Sequence, residues 1–277
     1  MKKLITMLFT MTIVISLTAQ NNGFNFNKTN DYSQKERKTI DTTHLLRVTP
    51  QEGDHYDFNF SVSMTGPMSM DMGMGVTYDI LSVDNNEINM TIAFTSISMD
   101  MSMEGESISY DSKNPGGSAF ANLMHEQLGP MFSASLEATM SDRGKTITAA
   151  DVASIFAGNP DMQKQMEGMN TQMESMFVEY PEEALKVGES FEVTLDEGDM
   201  SVDATYTLTD VTETEYILSV NADISGSSDA AIMTGSMKGT LHVLRECGMV
   251  MSGDITMDME AEEMNMTMEM SIETKKS

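Results

Sequence analysis

The chain has 277 residues and a formal net charge of −27, with 43 acidic residues against 16 basic ones. That balance argues against nucleic acid and anionic membrane surfaces as partners, since both repel an acidic protein. Cys247 is the one cysteine, so no intrachain disulfide can form and the fold must rest on its core.

Lys2 and Lys3 precede an apolar run from Leu4 to Leu17, with Ala19-Gln20 as a cleavage point. This is the pattern of a signal peptide over 1–19. The run is shorter than the ~20 apolar residues a bilayer-spanning helix needs. The expected product is exported, periplasmic or secreted, soluble after cleavage and not an integral membrane protein. Residues 20–43 are polar and read as a flexible leader. Patterned sequence begins at His44 and divides into a first β-meander (44–112), a stretch of helices and a hairpin (113–186), and a second β-meander (187–277).

Methionine dominates the pattern: there are 31, of which 28 follow residue 19. In the first meander Tyr56, Phe58, Phe60, Val62 and Met64 alternate with polar residues. Met68, Met70, Met72, Met74, Val76, Tyr78 and Ile80 do the same. Both runs have the period of a half-buried strand. Asp84-Asn85-Asn86-Glu87 reads as a turn. Ile88, Met90, Ile92 and Phe94 follow in even phase, then Ile97, Met99, Met101 and Met103 in odd phase. A strand changes phase only through a bulge or break, here near Thr95-Ser96.

In the middle region Ser118 is placed to cap a helix with Phe120, Leu123, Met124 and Leu128 on one face, ended by Gly129-Pro130. A hairpin follows around Asp142-Arg143-Gly144. Thr148 and Asp151 have capping-box spacing for a short helix ending near Gly158. Asn159-Pro160 opens another helix with Met162, Met166, Met169, Met173 and Met176 on one side. Methionine thus recurs every two residues in strands and every three or four in a helix. It follows whichever period buries it, as a core residue does.

The second meander echoes the first. GDHYDFNF (53–60) matches GESFEVTL (188–195), and YDILSVDNNEINMTIAF (78–94) matches YTLTDVTETEYILSVNA (206–222). The offset falls from 135 to 128, so the first copy carries seven extra residues between Phe60 and Met72. Cys247 lies in a hairpin turn and reads as an unpaired thiol without a role. Met257 and Met259 (odd) and Met264, Met266, Met268 and Met270 (even) flank a turn over Glu260–Glu263.

The fold expected is mainly β (α+β): a duplicated antiparallel β-meander forming curved sheet or sheets, with the helical segment between the halves packing on the sheet. No motif carries catalysis. G-x-S-x-G and H-E-x-x-H are absent. Arg143-Gly144-Lys145-Thr146 lacks the upstream glycine of a phosphate loop. His44, His55, His125 and His242 lack zinc spacing. No cofactor is expected.

Two uses of the methionines remain. Met68, Met70, Met72, Met74, Met99, Met101, Met257, Met259, Met266 and Met268 would line an apolar interior that holds a lipid or other hydrophobic ligand, because thioethers re-pack around irregular guests. Alternatively Met68, Met70, Met72 and Met74 would bind copper(I), a soft ion that takes thioether ligands. A third reading is a structural component of the cell envelope. The acidic residues Asp71, Asp100, Glu104, Asp254, Asp258, Glu260 and Glu269 fall on the opposite strand faces and read as a solvated surface.

At YPEEALKVGESF (180–191), Pro181, Val187, Gly188 and Phe191 resemble the entry to the second half of an uncharacterised family of exported bacterial β-rich proteins, a domain of unknown function. The methionine-alternating strands and the turn at Asp142-Arg143-Gly144 are similar to that family too. The resemblance implies the fold and carries over no catalytic residue. More loosely, the expected architecture is similar to periplasmic lipoprotein carriers and lipid-binding half-barrels.

The signal peptide is checked by the intact mass of the exported chain. It should equal that of residues 20–277, and a product retaining residues 1–19 would contradict the assignment.

Overall fold

The computed structural model describes residues 42–66, 68–103, 106–164, 166, 177–197, 200–227, 232–261 and 264–277. The residues expected to form a signal peptide and nearly all of the expected leader lie outside them. The alternating runs become strands: β1 (His55–Thr65), β2 (Ser69–Asp84), β3 (Glu87–Met103), β4 (Glu106–Asp111), β5 (Leu136–Ser141) and β6 (Thr146–Thr148). The second half supplies β7 (Ser190–Glu197), β8 (Met200–Val211), β9 (Glu215–Ser227), β10 (Ile232–Leu244), β11 (Val250–Ala261) and β12 (Met264–Lys276). All twelve join one antiparallel, curved, open sheet in the order β6-β5-β3-β2-β1-β12-β11-β10-β9-β8-β7, with β4 also on β3.

The two halves meet at β1 and β12, which pair from Tyr56↔Lys276 to Thr65↔Thr267. Apart from β3 and β5, which pair across the intervening β4 and helix, the remaining neighbours are the hairpins and meander turns the local pattern implies. Asn85 and Asn86 both adopt positive φ (51° and 65°), the conformation of a tight two-residue hairpin turn that asparagine tolerates. The phase change in β3 is a bulge: Gly75 pairs with Ser96 and Val76 with Phe94, leaving Thr95 unpaired.

The duplication is carried into hydrogen-bond detail. Tyr56 faces Tyr78 as Phe191 faces Tyr206. Register shifts occur at Ile80/Ser82 and at the equivalent Leu208/Asp210. Gly53 N–H donates to Ile80 O at 2.9 Å, and Gly188 N–H donates to Leu208 O at 2.7 Å. Both glycines have positive φ, 86° and 93°. The seven extra residues of the first copy lengthen the β1–β2 hairpin, and they carry Met64, Met68 and Met70 outward from the shared part.

Between β4 and β5 lies α1 (Ala119–Leu128), whose first turn is capped by the Ser118 hydroxyl accepting from Ala121 N–H at 3.0 Å. It buries Ala121, Met124 and Leu128 and continues as a 3-10 turn over Gly129–Ser133. The expected capping box is not used. Thr148 is held in β6 opposite Thr139, and the short 3-10 helix Ala153–Phe156 starts from Val152, with the Asp151 carboxylate accepting from Ser154 N–H at 3.1 Å. Asn159 caps the next helix through Met162 N–H, and residues 160–164 are helical. Met162 and Met166 are buried as the four-residue spacing requires. Met169, Met173 and Met176 lie outside the described residues.

One end of the sheet gathers the turns after β2, β5, β8 and β10. Two extended segments, 44–50 and 177–185, cross it as a clasp. Val48 N–H donates to Asp142 O (2.6 Å) and Thr49 N–H to Cys247 O (2.7 Å). His44 and Leu185 exchange backbone hydrogen bonds. The Tyr180 hydroxyl donates to Gly248 O at 2.8 Å. Arg47 donates to the carbonyls of Leu46, Pro181 and Glu182, and Arg143 holds the buried Glu179 at 3.1 Å. Gly248 is needed for this approach: its φ is +69°, and a β-carbon there would collide with Arg47 O.

Gly248→Ala should therefore cost more than the ~1–2 kcal/mol of a left-handed residue alone. Gly116→Ala, at φ +72° with nothing within 4 Å, should cost only that penalty. Urea denaturation of the two variants measures the difference, and equal losses would contradict the clasp.

Candidate functional site

The alternation places every second strand side chain on one inner face, and strand pairing lines these residues up in rows across the sheet. One row runs Met101–Met70–Met64–Met268–Met257–Met237 over β3, β2, β1, β12, β11 and β10. It continues as Ala222, Ala204 and Val193 over β9, β8 and β7. All six methionines are buried, none more than 4 % exposed. The next row toward the clasp runs Tyr110–Met99–Met72–Val62–Met270–Ile255.

The third row differs. Ile97, Met74, Phe60 and Ile272 are neighbours on four adjacent strands, and each is only half-buried. Met72 and Phe58, beside Phe60 on the same face, are half-buried as well. These side chains pack against the core yet keep part of their surface in water. Across β11 the row reaches Gly253, whose missing side chain leaves its place to Leu241. A contiguous apolar stripe on the inner face, between the methionine row and the clasp, is thus open to contact.

Beyond the stripe the face turns aromatic. Tyr78 lies between Phe58 (5.9 Å between ring centroids) and Phe177 of the clasp (5.6 Å). Phe191 stacks on Tyr206 at 5.2 Å. Burial pushes the phenols of Tyr78 and Tyr206 far above their ordinary range, and burial with Cys247 and Asp54 nearby does the same to Tyr56. They stay neutral, so the face carries no phenolate charge. Cys247 sits in the β10–β11 turn as expected, unpaired and buried beneath the clasp.

All ten methionines singled out from the sequence share this inner face. The structure sets Met70 opposite Met101, Met72 opposite Met99, Met257 opposite Met268 and Met259 opposite Met266. Met68, Met72, Met74 and Met266 are half-buried, and the other six are buried. Met70, Met72 and Met74 are strung along β2, where alternate residues are roughly 6.5 Å apart, and Met68 lies just before the strand begins. Closer thioether neighbours lie across strands, where paired β-carbons are about 4.5–5.5 Å apart. Met64 and Met237 complete the central row, and Phe60, Ile97 and Ile272 complete the stripe. Sequence reasoning did not place these five in the site. Their common position depends on register between distant strands, which no local period encodes.

The opposite face is polar. Asp71, Asp100, Asp254, Asp258, Glu260 and Glu269 are exposed on it, while Glu104 lies outside the described residues. Asp71 and Asp100 face each other directly. Carboxylates there accept from hydroxyls on the neighbouring strand: Asp71 from Ser63 (2.6 Å), Asp203 from Thr194 (2.7 Å), Asp258 from Thr267 (2.8 Å). Among the described residues no group of three or more His, Cys, Asp or Glu side chains is placed to hold a metal ion. Among them, too, no helix is long and apolar enough to cross a membrane.

The fold resembles one in a structure of lipid–protein interactions in lipovitellin, with a TM-score of 0.52 at 10 % identity over 81 % of this chain. The chain spans about a quarter of that protein's length (25 %). A second structure found is that of a protein with a YmcC-like fold from Bacteroides fragilis, with a TM-score of 0.32 at 8 % identity, covering 83 % of this chain and all (100 %) of that one. No curated protein is detectably similar to the chain. Residues 85–258, more than half of the chain, match a family of unknown function, and the protein belongs to that family, DUF6263.

Proposed function

We propose that the protein is an exported, non-enzymatic binder of a hydrophobic small molecule, a lipid above all, held on the inner face of the sheet. The observation that carries this reading is the stripe Ile97–Met74–Phe60–Ile272 with Met72 and Phe58. It is a contiguous set of large apolar side chains left half-buried on the inner face of a curved sheet. Contiguous apolar surface left in water is costly, and it marks binding surfaces. The methionine row beside it supports the reading. Each Met in place of Ile gives up on the order of 1 kcal/mol in rotamer entropy, which a rigid core would avoid. Unbranched thioethers give in return a wall that re-packs. The lipovitellin structure that shares the fold is one of lipid–protein interactions, and it supports the same class of ligand. The signal-peptide pattern supports export.

Delipidated protein titrated with N-phenyl-1-naphthylamine, a dye that brightens in apolar surroundings, tests the reading. Saturable uptake is expected, and Phe60→Asp should weaken it at least about tenfold by burying a charge in the stripe. No uptake, or uptake indifferent to Phe60→Asp, would contradict it. Copper(I) offered with a competing chromophore should show no tight stoichiometric binding. Tight binding lost on changing Met68, Met70, Met72 and Met74 together would favour the copper reading instead.

A further inference from the structure

The binding face contains a hydroxyl whose place packing does not explain. Thr274 in β12 is 4 % exposed, and its Oγ1 is buried without a hydrogen-bond partner. It shares the inner face with Ile272 two residues before it, and it pairs across the strands with Phe58. It therefore borders the stripe, flanked by two of the half-buried side chains. Valine fits a buried strand position as well as threonine and carries no unpaired group.

The charge of the face is equally specific. Among the described strand residues on this face, Lys276 is the one cation. It is already engaged: its ammonium lies 2.9 Å from Asp54 and 3.9 Å from Glu246, over the Tyr56 ring at 5.8 Å. The hydrogen bond from Lys276 to Asp54 raises its pKa further. An anionic headgroup would find no free positive partner here and would meet a chain of net charge −27.

Resting on the binding role above, we propose that the ligand is a long-chain lipid whose polar group is uncharged, an alcohol or an ester, and that the Thr274 hydroxyl is its hydrogen-bonding contact. The chain of such a ligand lies on Phe60, Met74 and Ile97, and its oxygen reaches Thr274, whose hydroxyl is buried in the unliganded protein, as Phe58 and Ile272 part to admit it. Among the described residues Tyr110 carries the other partnerless buried phenol or alcohol oxygen, but it lies on β4, in the row of Met99 and Met72 and four strands from Thr274.

Displacement of N-phenyl-1-naphthylamine from the delipidated protein by 1-dodecanol and by dodecanoate, at pH 8, tests the proposal. Dodecanol should compete at the lower concentration. Thr274→Val should weaken dodecanol about fivefold, the worth of one neutral hydrogen bond, and weaken it more than it weakens the dye. Thr274→Ser should restore dodecanol binding, and Tyr110→Phe should not alter it. If the dye binds but dodecanoate competes as well as dodecanol, or Thr274→Val changes nothing, this inference falls and the binding role stands. If the dye does not bind the wild-type protein, both fall.

Discussion

A single sheet has one apolar face and no second sheet to set it against. Here that face must be buried by the curvature of the sheet itself, by the helices between β4 and β7, and by the clasp. The pairing of β1 with β12 makes this possible, because it joins two meanders into one surface whose rows run unbroken across the halves. Without it each half would present a short amphipathic sheet with two open edges, a hazard for aggregation. With it, the central row buries six methionines side by side.

Coverage of that face is graded. At the clasp end, aromatic and branched side chains meet two backbone segments drawn close by Gly144 and Gly248, and the interior is rigidly specified. In the central row the side chains are flexible thioethers. Between the two lies the stripe, where packing stops short of completion. The outer face carries hydrogen-bonded carboxylates and hydroxyls, so the acidic surface and the apolar interior are two results of the same alternation.

Much of this was legible in the chain because it is local. The Asn85-Asn86 turn, the bulge at Thr95, the hairpin at Gly144 and the Ser118 cap each rest on a few adjacent residues whose backbone chemistry has few solutions. The duplication was legible too, since Tyr78 and Tyr206 keep their spacing to the following turn. The Thr148 cap was misread because capping-box spacing is a weak signal beside a strand pair with Thr139. The site itself was half legible. Alternation put the ten methionines on one face, but which of them are half-buried depends on register with strands up to some two hundred positions away. Phe60 reads from sequence as an ordinary core residue. Its partners Met74 and Ile272 make it part of an open stripe.

The central claim, that a pliable inner face receives an apolar guest at the stripe, is tested most directly by carbon-13 labelling of the methionine ε-methyl groups. Their NMR signals would be followed during titration with 1-dodecanol. Saturable shifts are expected first at Met72 and Met74, with smaller responses in the central row at Met70 and Met64 as it re-packs. Shifts confined to methionines remote from the stripe, or none at ligand saturation, would contradict the account.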